Sequence, residues 1–184
     1  MDISKTNSLV ELYFTKSQKT KPDTIFLKWL KPNHTNNHSW GEVEEKIFKL
    51  SDCIKGIINE GDRCLLISEN RPEWLISDIS IMNAGGISVP IFTTYSSRDY
   101  EYIINDCKPS LIIVSNQDQL KKIKKFINID VKKIISFENL EYESLSLKDI
   151  FKTKIKHKFI NNNLKREMPA CIIYTSGTSG NPKG

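Results

Sequence analysis

A chain of 184 residues, 39% of them hydrophobic, can bury one core, or one core and part of another, and is too apolar to stay unfolded throughout. Its net charge of +5 comes from 23 Lys against only 4 Arg. Nucleic-acid readers lean on arginine for bidentate contacts, so this balance speaks for a lysine-rich solvated surface and against a nucleic-acid partner.

The opening residues MDISKTNSLVELYF lack a basic segment followed by an apolar one, and no run approaches the roughly eighteen apolar residues of a membrane span. Cys53, Cys64, Cys107 and Cys171 show neither a CxxC nor a metal-ligand spacing, and Cys64 and Cys171 sit in apolar runs, where a thiol acts as a small hydrophobe. A reducing, cytoplasmic setting is therefore expected.

Residues 1–38 form a lead-in segment. Leu9, Val10, Leu12, Tyr13 and Phe14 suggest a short helix, and Ile25 to Leu30 a strand. Asn33 to His38 reads as a polar turn. His34 and His38 stand four apart, a spacing that could serve a metal on a helix, but the surrounding composition is that of a loop and offers no third ligand.

From Trp40 onward Val43, Ile47, Leu50, Ile54, Ile57 and Ile58 recur at three- and four-residue steps, predicting a helix that Ser39 caps. Glu60-Gly61-Asp62 closes it, and Arg63 to Ser68 reads as a strand. Pro72 to Ala84 is a helix ended by Gly85-Gly86, followed by a short strand over Ile87–Phe92 that Pro90 keeps brief.

The alternation repeats. Helices are predicted over 98–107 and 117–127, and strands over 111–114 and 131–137. Residues 138–168 read as an irregular excursion, and Ala170 to Tyr174 as a final apolar strand. Strands that are apolar rather than alternating, interleaved with helices, require a mostly parallel sheet covered by helices: an α/β fold. The run Lys121-Lys122-Ile123-Lys124-Lys125 puts its charges opposite Leu120, Ile123 and Ile127, as a solvated helix face does. Peripheral contact with an anionic membrane is its alternative reading.

The last residues, TSGTSGNPKG, suit a polyphosphate. Thr175, Ser176, Thr178 and Ser179 bring hydroxyls. Gly177 and Gly180 let successive backbone N–H groups point into one concavity, and Lys183 brings a cation behind the stiffening Pro182. A flexible Gly/Ser turn is the competing reading. The spacing does not meet G-x-x-x-x-G-K-[ST], so this is no nucleoside-triphosphatase loop. A loop that follows a strand lies at the carboxyl edge of the sheet, where open α/β sheets bind ligands.

YTSGTSGNPKG resembles the phosphate-loop signature YTSGTTGxPKG of the adenylate-forming (AMP-binding) superfamily, with Ser179 keeping the hydroxyl of the usual threonine. Ser39-Trp40, Glu60-Gly61-Asp62-Arg63, Asn70-Arg71-Pro72-Glu73-Trp74, Asn83-Ala84-Gly85-Gly86 and Val89-Pro90-Ile91 match further family motifs in order. With Tyr95-Ser96-Ser97 and Tyr102-Ile103-Ile104-Asn105-Asp106, they look most like the long-chain fatty acyl-CoA synthetase branch.

The resemblance implies a two-step ligation of a fatty acid, ATP with Mg2+, and coenzyme A. Thr175 to Gly180 would cradle the ATP phosphates, and Lys183 would act on the departing pyrophosphate as a catalytic cation. It also implies that 39–184 is part of the family's amino-terminal domain. The adenine, ribose and Mg2+ contacts and the carboxyl-terminal domain are expected in a remainder of the same polypeptide, without which the chain is expected to be inactive. A shorter-chain acyl-CoA synthetase, another adenylate-forming enzyme, and a catalytically dead phosphate- or partner-binding module are the alternatives.

Overall fold

The computed structural model describes residues 5–128, 130–155, 157–176 and 181–184, and for Ser176 the backbone alone. The elements run α1 (Leu9–Gln18), β1 (Ile25–Lys31), β2 (His34–Ser39), α2 (Trp40–Lys55), β3 (Arg63–Ile67), α3 (Pro72–Asn83), β4 (Ile87–Ile91), α4 (Ser97–Cys107) and β5 (Leu111–Val114). They continue with α5 (Gln117–Ile123), β6 (Lys133–Ser136), β7 (Leu145–Ser146), α6 (Leu147–Lys152), β8 (Thr175–Ser176) and β9 (Pro182–Lys183).

The main sheet has the order β4-β3-β5-β6-β7, and every pairing in it is parallel. Alternate residues of its strands serve opposite faces. Cys64, Leu66, Leu111, Ile113 and Ile135 face a core built with α1, α2, α3 and α6. Leu65, Ile67, Ile112, Val114 and Ile134 face a second core built with α4 and α5. Both faces are covered, which is why these strands read as continuous apolar runs rather than alternating ones. The α/β expectation is met.

Local sequence sets the ends of the helices. Ser39 caps α2 in a reciprocal box: its hydroxyl accepts from Glu42 N–H at 3.2 Å, and the Glu42 carboxylate accepts from Ser39 N–H at 2.8 Å. Ser39→Ala is expected to cost about 1 kcal/mol, read as a lower urea midpoint at unchanged slope. Ser96 and Asp99 repeat the box at α4. After α3, a Cβ on Gly86 would stand 2.7 Å from Ile58 Cδ1 and 3.1 Å from Cys64 Sγ, so only glycine lets the chain turn this closely onto the sheet.

Several expectations need correction. Residues 34–39 are not a turn but β2, antiparallel to β1, with Pro32 and Asn33 at the bend. Its side chains are polar throughout and half of them are exposed, so no apolar pattern marks the strand, which is held by pairing with β1 and by His38 and Ser39 against α2. On a strand, residues four apart are separated by ~13 Å, so His34 and His38 do not share a ligand site. The helix expected over 117–127 ends at Ile123, tightens into a 3-10 turn over Lys124–Phe126 and becomes extended at Ile127.

The excursion 138–168 is not wholly irregular. It holds β7 and α6, whose Leu147 and Ile150 pack into the α2 side of the core. The strand expected over 170–174 makes only one bridge, Cys171 to Ser88, through Ser88 N–H to Ala170 O at 3.1 Å and Ile172 N–H to Ser88 O at 2.9 Å. Cys171 is exposed, so its thiol is not the buried hydrophobe that the apolar run suggests.

Candidate functional site

The parallel strands all deliver their carboxyl ends to one edge. Ser68, Glu69 and Asn70 follow β3 there, and Phe92, Thr93 and Thr94 follow β4. With Trp74, Pro90, Ile91 and Ile173 they line an open cleft of about 540 Å³. Phe92 and Ile173 remain more than half exposed, at 63% and 58%, so the rim of the cleft is apolar.

Two of the lining residues, Glu69 and Thr93, are tied to α5. Gln119 Nε2 donates to Glu69 Oε1 at 2.7 Å, and Lys122 Nζ donates to Thr93 O at 2.7 Å and to Gln119 Oε1 at 3.1 Å. Burial pushes the Glu69 carboxyl up, but hydrogen bonding, the Gln119 amide included, outweighs it and holds the group below its ordinary value. An ionised Glu69 makes the cleft itself a poor place for a phosphate.

The phosphate candidates lie beside the cleft. β8 and β9 form an antiparallel hairpin with Thr175 opposite Lys183 and Ser176 opposite Pro182. Directly opposed residues project to the same side of a hairpin, so the Thr175 hydroxyl and the Lys183 ammonium share one side, and both residues are exposed. Gly184 closes the stem: a Cβ there would lie 2.7 Å from Ile172 Cγ2 and 2.9 Å from Tyr174 Cζ. Gly177, Thr178, Ser179 and Gly180 lie outside the described residues. The hairpin thus brings Thr175 against Lys183, with Ser176 next to Thr175 and paired with Pro182 along the backbone.

The hairpin is fastened by α4 and the residues entering it. Tyr95 OH donates to Tyr174 O at 2.8 Å, Tyr174 OH donates to the Asp106 carboxylate, and Arg98 Nη2 donates to Asn181 Oδ1 at 3.2 Å. Tyr174 is buried, and burial followed by its bond to Asp106 holds its phenol well above the usual tyrosine range. Among the described residues no group of three or more His, Cys, Asp or Glu is placed to hold a metal ion.

A family model described as "AMP-binding enzyme" matches residues 14–184. The chain belongs to the AMP-binding enzyme family. Fatty acyl-CoA synthetase A of Dictyostelium discoideum is 30% identical over 199 positions, which take in 98% of this chain and 29% of that protein. Long-chain-fatty-acid–CoA ligase ACSBG2 of Xenopus laevis is 34% identical over 133 positions, 65% of this chain and 18% of the relative. The chain therefore spans less than a third of these curated relatives.

Among solved structures, the anthranilate CoA ligase AuaEII in complex with anthranoyl-AMP superposes on 100% of the chain and 35% of its own, with a TM-score of 0.84 at 22% identity. That likeness is one of fold. The resemblance to adenylate-forming enzymes seen in the motifs is borne out, and the long-chain acyl-CoA synthetase branch supplies the relatives.

For an AMP-binding family member, sequence reasoning missed Tyr95, Arg98 and Asp106 as parts of the site. Tyr95 and Asp106 stood in segments that matched the family, yet no motif gave them a task. Only the fold brings α4 against a hairpin that lies some seventy to eighty residues further along the chain.

Proposed function

We propose that the chain supplies the phosphate-gripping wall of an AMP-forming long-chain fatty acid–CoA ligase. Residues 39–184 serve as part of the nucleotide-binding domain, and 1–38 as a lead-in packed on it. The observation that carries this reading is the pairing of Thr175 with Lys183 at the carboxyl edge of a parallel sheet, in a chain of the AMP-binding family.

A carboxylate resists nucleophiles and has no good leaving group, so its activation needs a mixed anhydride. A fatty acid oxygen attacks the α-phosphorus of Mg2+-bound ATP, and the bond to the β-phosphate oxygen breaks to release pyrophosphate. The thiol of coenzyme A then displaces AMP, giving the thioester. Thr175, Ser176 and the residues through Gly180 hold the β- and γ-phosphates, and Lys183 stabilises the negative charge gathering on the pyrophosphate.

A hydroxyl and an ammonium on one exposed side suit a phosphate group. Mg2+ would enter with the nucleotide substrate, its protein contacts being expected in the remainder of the polypeptide. No helix among the described residues is long and apolar enough to cross a membrane. We place the enzyme in the cytoplasm, with the Lys121–Lys125 run as a solvated face and peripheral membrane contact as its alternative.

In the full-length enzyme carrying this chain, Thr175→Ala, Ser176→Ala and Lys183→Ala together are expected to lower ATP–pyrophosphate exchange roughly 100-fold or more. Undiminished exchange overturns the reading. The 184-residue chain alone is expected to support no exchange. If it binds pyrophosphate and the full-length protein also lacks exchange, a phosphate-binding module without ligase chemistry is the better description.

A further inference from the structure

We propose that Tyr95, Arg98 and Asp106 are positioning residues that set the register of the phosphate-binding hairpin from both of its strands; this rests on the phosphate reading of that hairpin. The contacts divide between the two sides of the loop. Tyr95 and Asp106 hold Tyr174, the residue before β8, one by its backbone carbonyl and the other by its hydroxyl. Arg98 holds the side chain of Asn181, the residue before β9.

Among the described residues, the two-residue strands pair with each other, the Cys171 bridge upstream ties the backbone to the main sheet, and the Tyr174 ring is buried in the core on the α4 side. Two short strands have no independent stability in water, so the geometry of Thr175 against Lys183 depends on these attachments and on the contacts with α4. That helix is a firm base: Tyr100, Ile103 and Ile104 are wholly or almost wholly buried, and the box of Ser96 and Asp99 caps it.

The clamp also touches the cleft wall. The Tyr95 ring meets Phe92 edge-on with centroids 5.4 Å apart and Tyr100 at 6.3 Å, while Tyr100 OH donates to Phe92 O at 2.9 Å. Tyr95 therefore stands between the residue lining the cleft and the carbonyl that leads into β8. A wall displaced by a ligand would be felt at the hairpin through one side chain.

The test compares the wild-type chain with Tyr95→Phe, Tyr174→Phe, the double variant, Asp106→Ala and Asp106→Asn. Each Tyr→Phe change removes one hydroxyl and keeps the ring packing. Asp106→Asn keeps an acceptor for Tyr174. Amide hydrogen exchange is read at Thr175, Ser176 and Lys183, with β3 and β5 amides as controls, and magnesium pyrophosphate binding is read by calorimetry.

Exchange at the hairpin amides is expected to rise about tenfold in the double variant and in Asp106→Ala, with the control amides unchanged and Asp106→Asn close to wild type. The pyrophosphate Kd is expected to rise by a similar factor. Equal acceleration of the control amides would mean a general structural role and overturn the proposal, as would an unchanged hairpin. Wild-type binding that the variants leave intact defeats the positioning role alone. A wild-type chain that fails to bind pyrophosphate defeats the phosphate reading and the positioning role that rests on it.

Discussion

Replacing Asn83 with alanine is expected to remove about 3 kcal/mol of stability, a large share of what a domain of this size holds. Asn83 is fully buried at the end of α3. Its amide nitrogen donates to Ser51 Oγ at 3.1 Å and to Phe159 O at 3.1 Å, and its oxygen accepts from Asn161 N–H at 3.0 Å. One side chain thus joins α2 to the far end of the excursion.

Alanine leaves the Ser51 hydroxyl without that partner in the core and releases both backbone groups of the 159–161 segment. The loss should appear as a lower urea midpoint at unchanged slope, together with faster proteolytic cleavage near Lys158. Asn83→Asp separates the contributions, because it keeps an acceptor for Asn161 N–H but can no longer donate to Ser51 and Phe159 as the amide does. A midpoint within experimental scatter of wild type for Asn83→Ala would show that the staple contributes nothing.

Leu66→Ala is expected to cost about 2–5 kcal/mol. Leu66 is wholly buried in β3, flanked by Pro90 of β4 on one side and Ile113 of β5 on the other, and faces the core shared by α2 and α3. Strands backed by helices cannot easily collapse into the hole, which places the expected cost away from the bottom of that range. Leu30→Ala serves as the control: Leu30 is 76% exposed on β1, and a change of roughly 0.5 kcal/mol or less is expected there. Equal unfolding midpoints for the two variants would contradict the assignment of the core.

How much of this was legible in the residues follows from what kind of interaction fixes each element. α2, α3 and α4 declare themselves because their apolar positions recur at helical steps and their starts carry local marks, Ser39 and Ser96 as caps and Pro72 in the first turn of α3. β3 and β5 declare themselves because burial on both faces needs uninterrupted apolar runs. β2 does not, since its side chains are polar throughout and its pairing lies in the backbone. α6 is too short for a period to show.

The site divides the same way. Thr175, Ser176 and Lys183 could be singled out because hydroxyls, glycines and a cation in sequence carry their own chemistry. Tyr95, Arg98 and Asp106 act through side chains that meet the hairpin only after two crossovers of the chain. Asn83 stood in a recognisable motif, yet its partners at Ser51, Phe159 and Asn161 lie in segments with no mark of their own.

The strand order also has a consequence for how the molecule comes to be made. β3 finds its neighbours at Ser88 for Cys64 on one side and Leu111 for the same residue on the other, so the middle of the sheet cannot be completed by chain near it in sequence. During synthesis α1, α2 and α3 can pack on one another and on β3, but the part of their apolar face that meets Leu111 and Ile113 stays uncovered until β5 has cleared the ribosome. Chaperone dependence and sensitivity to translation speed should therefore concentrate in the stretch of time between β3 and β5.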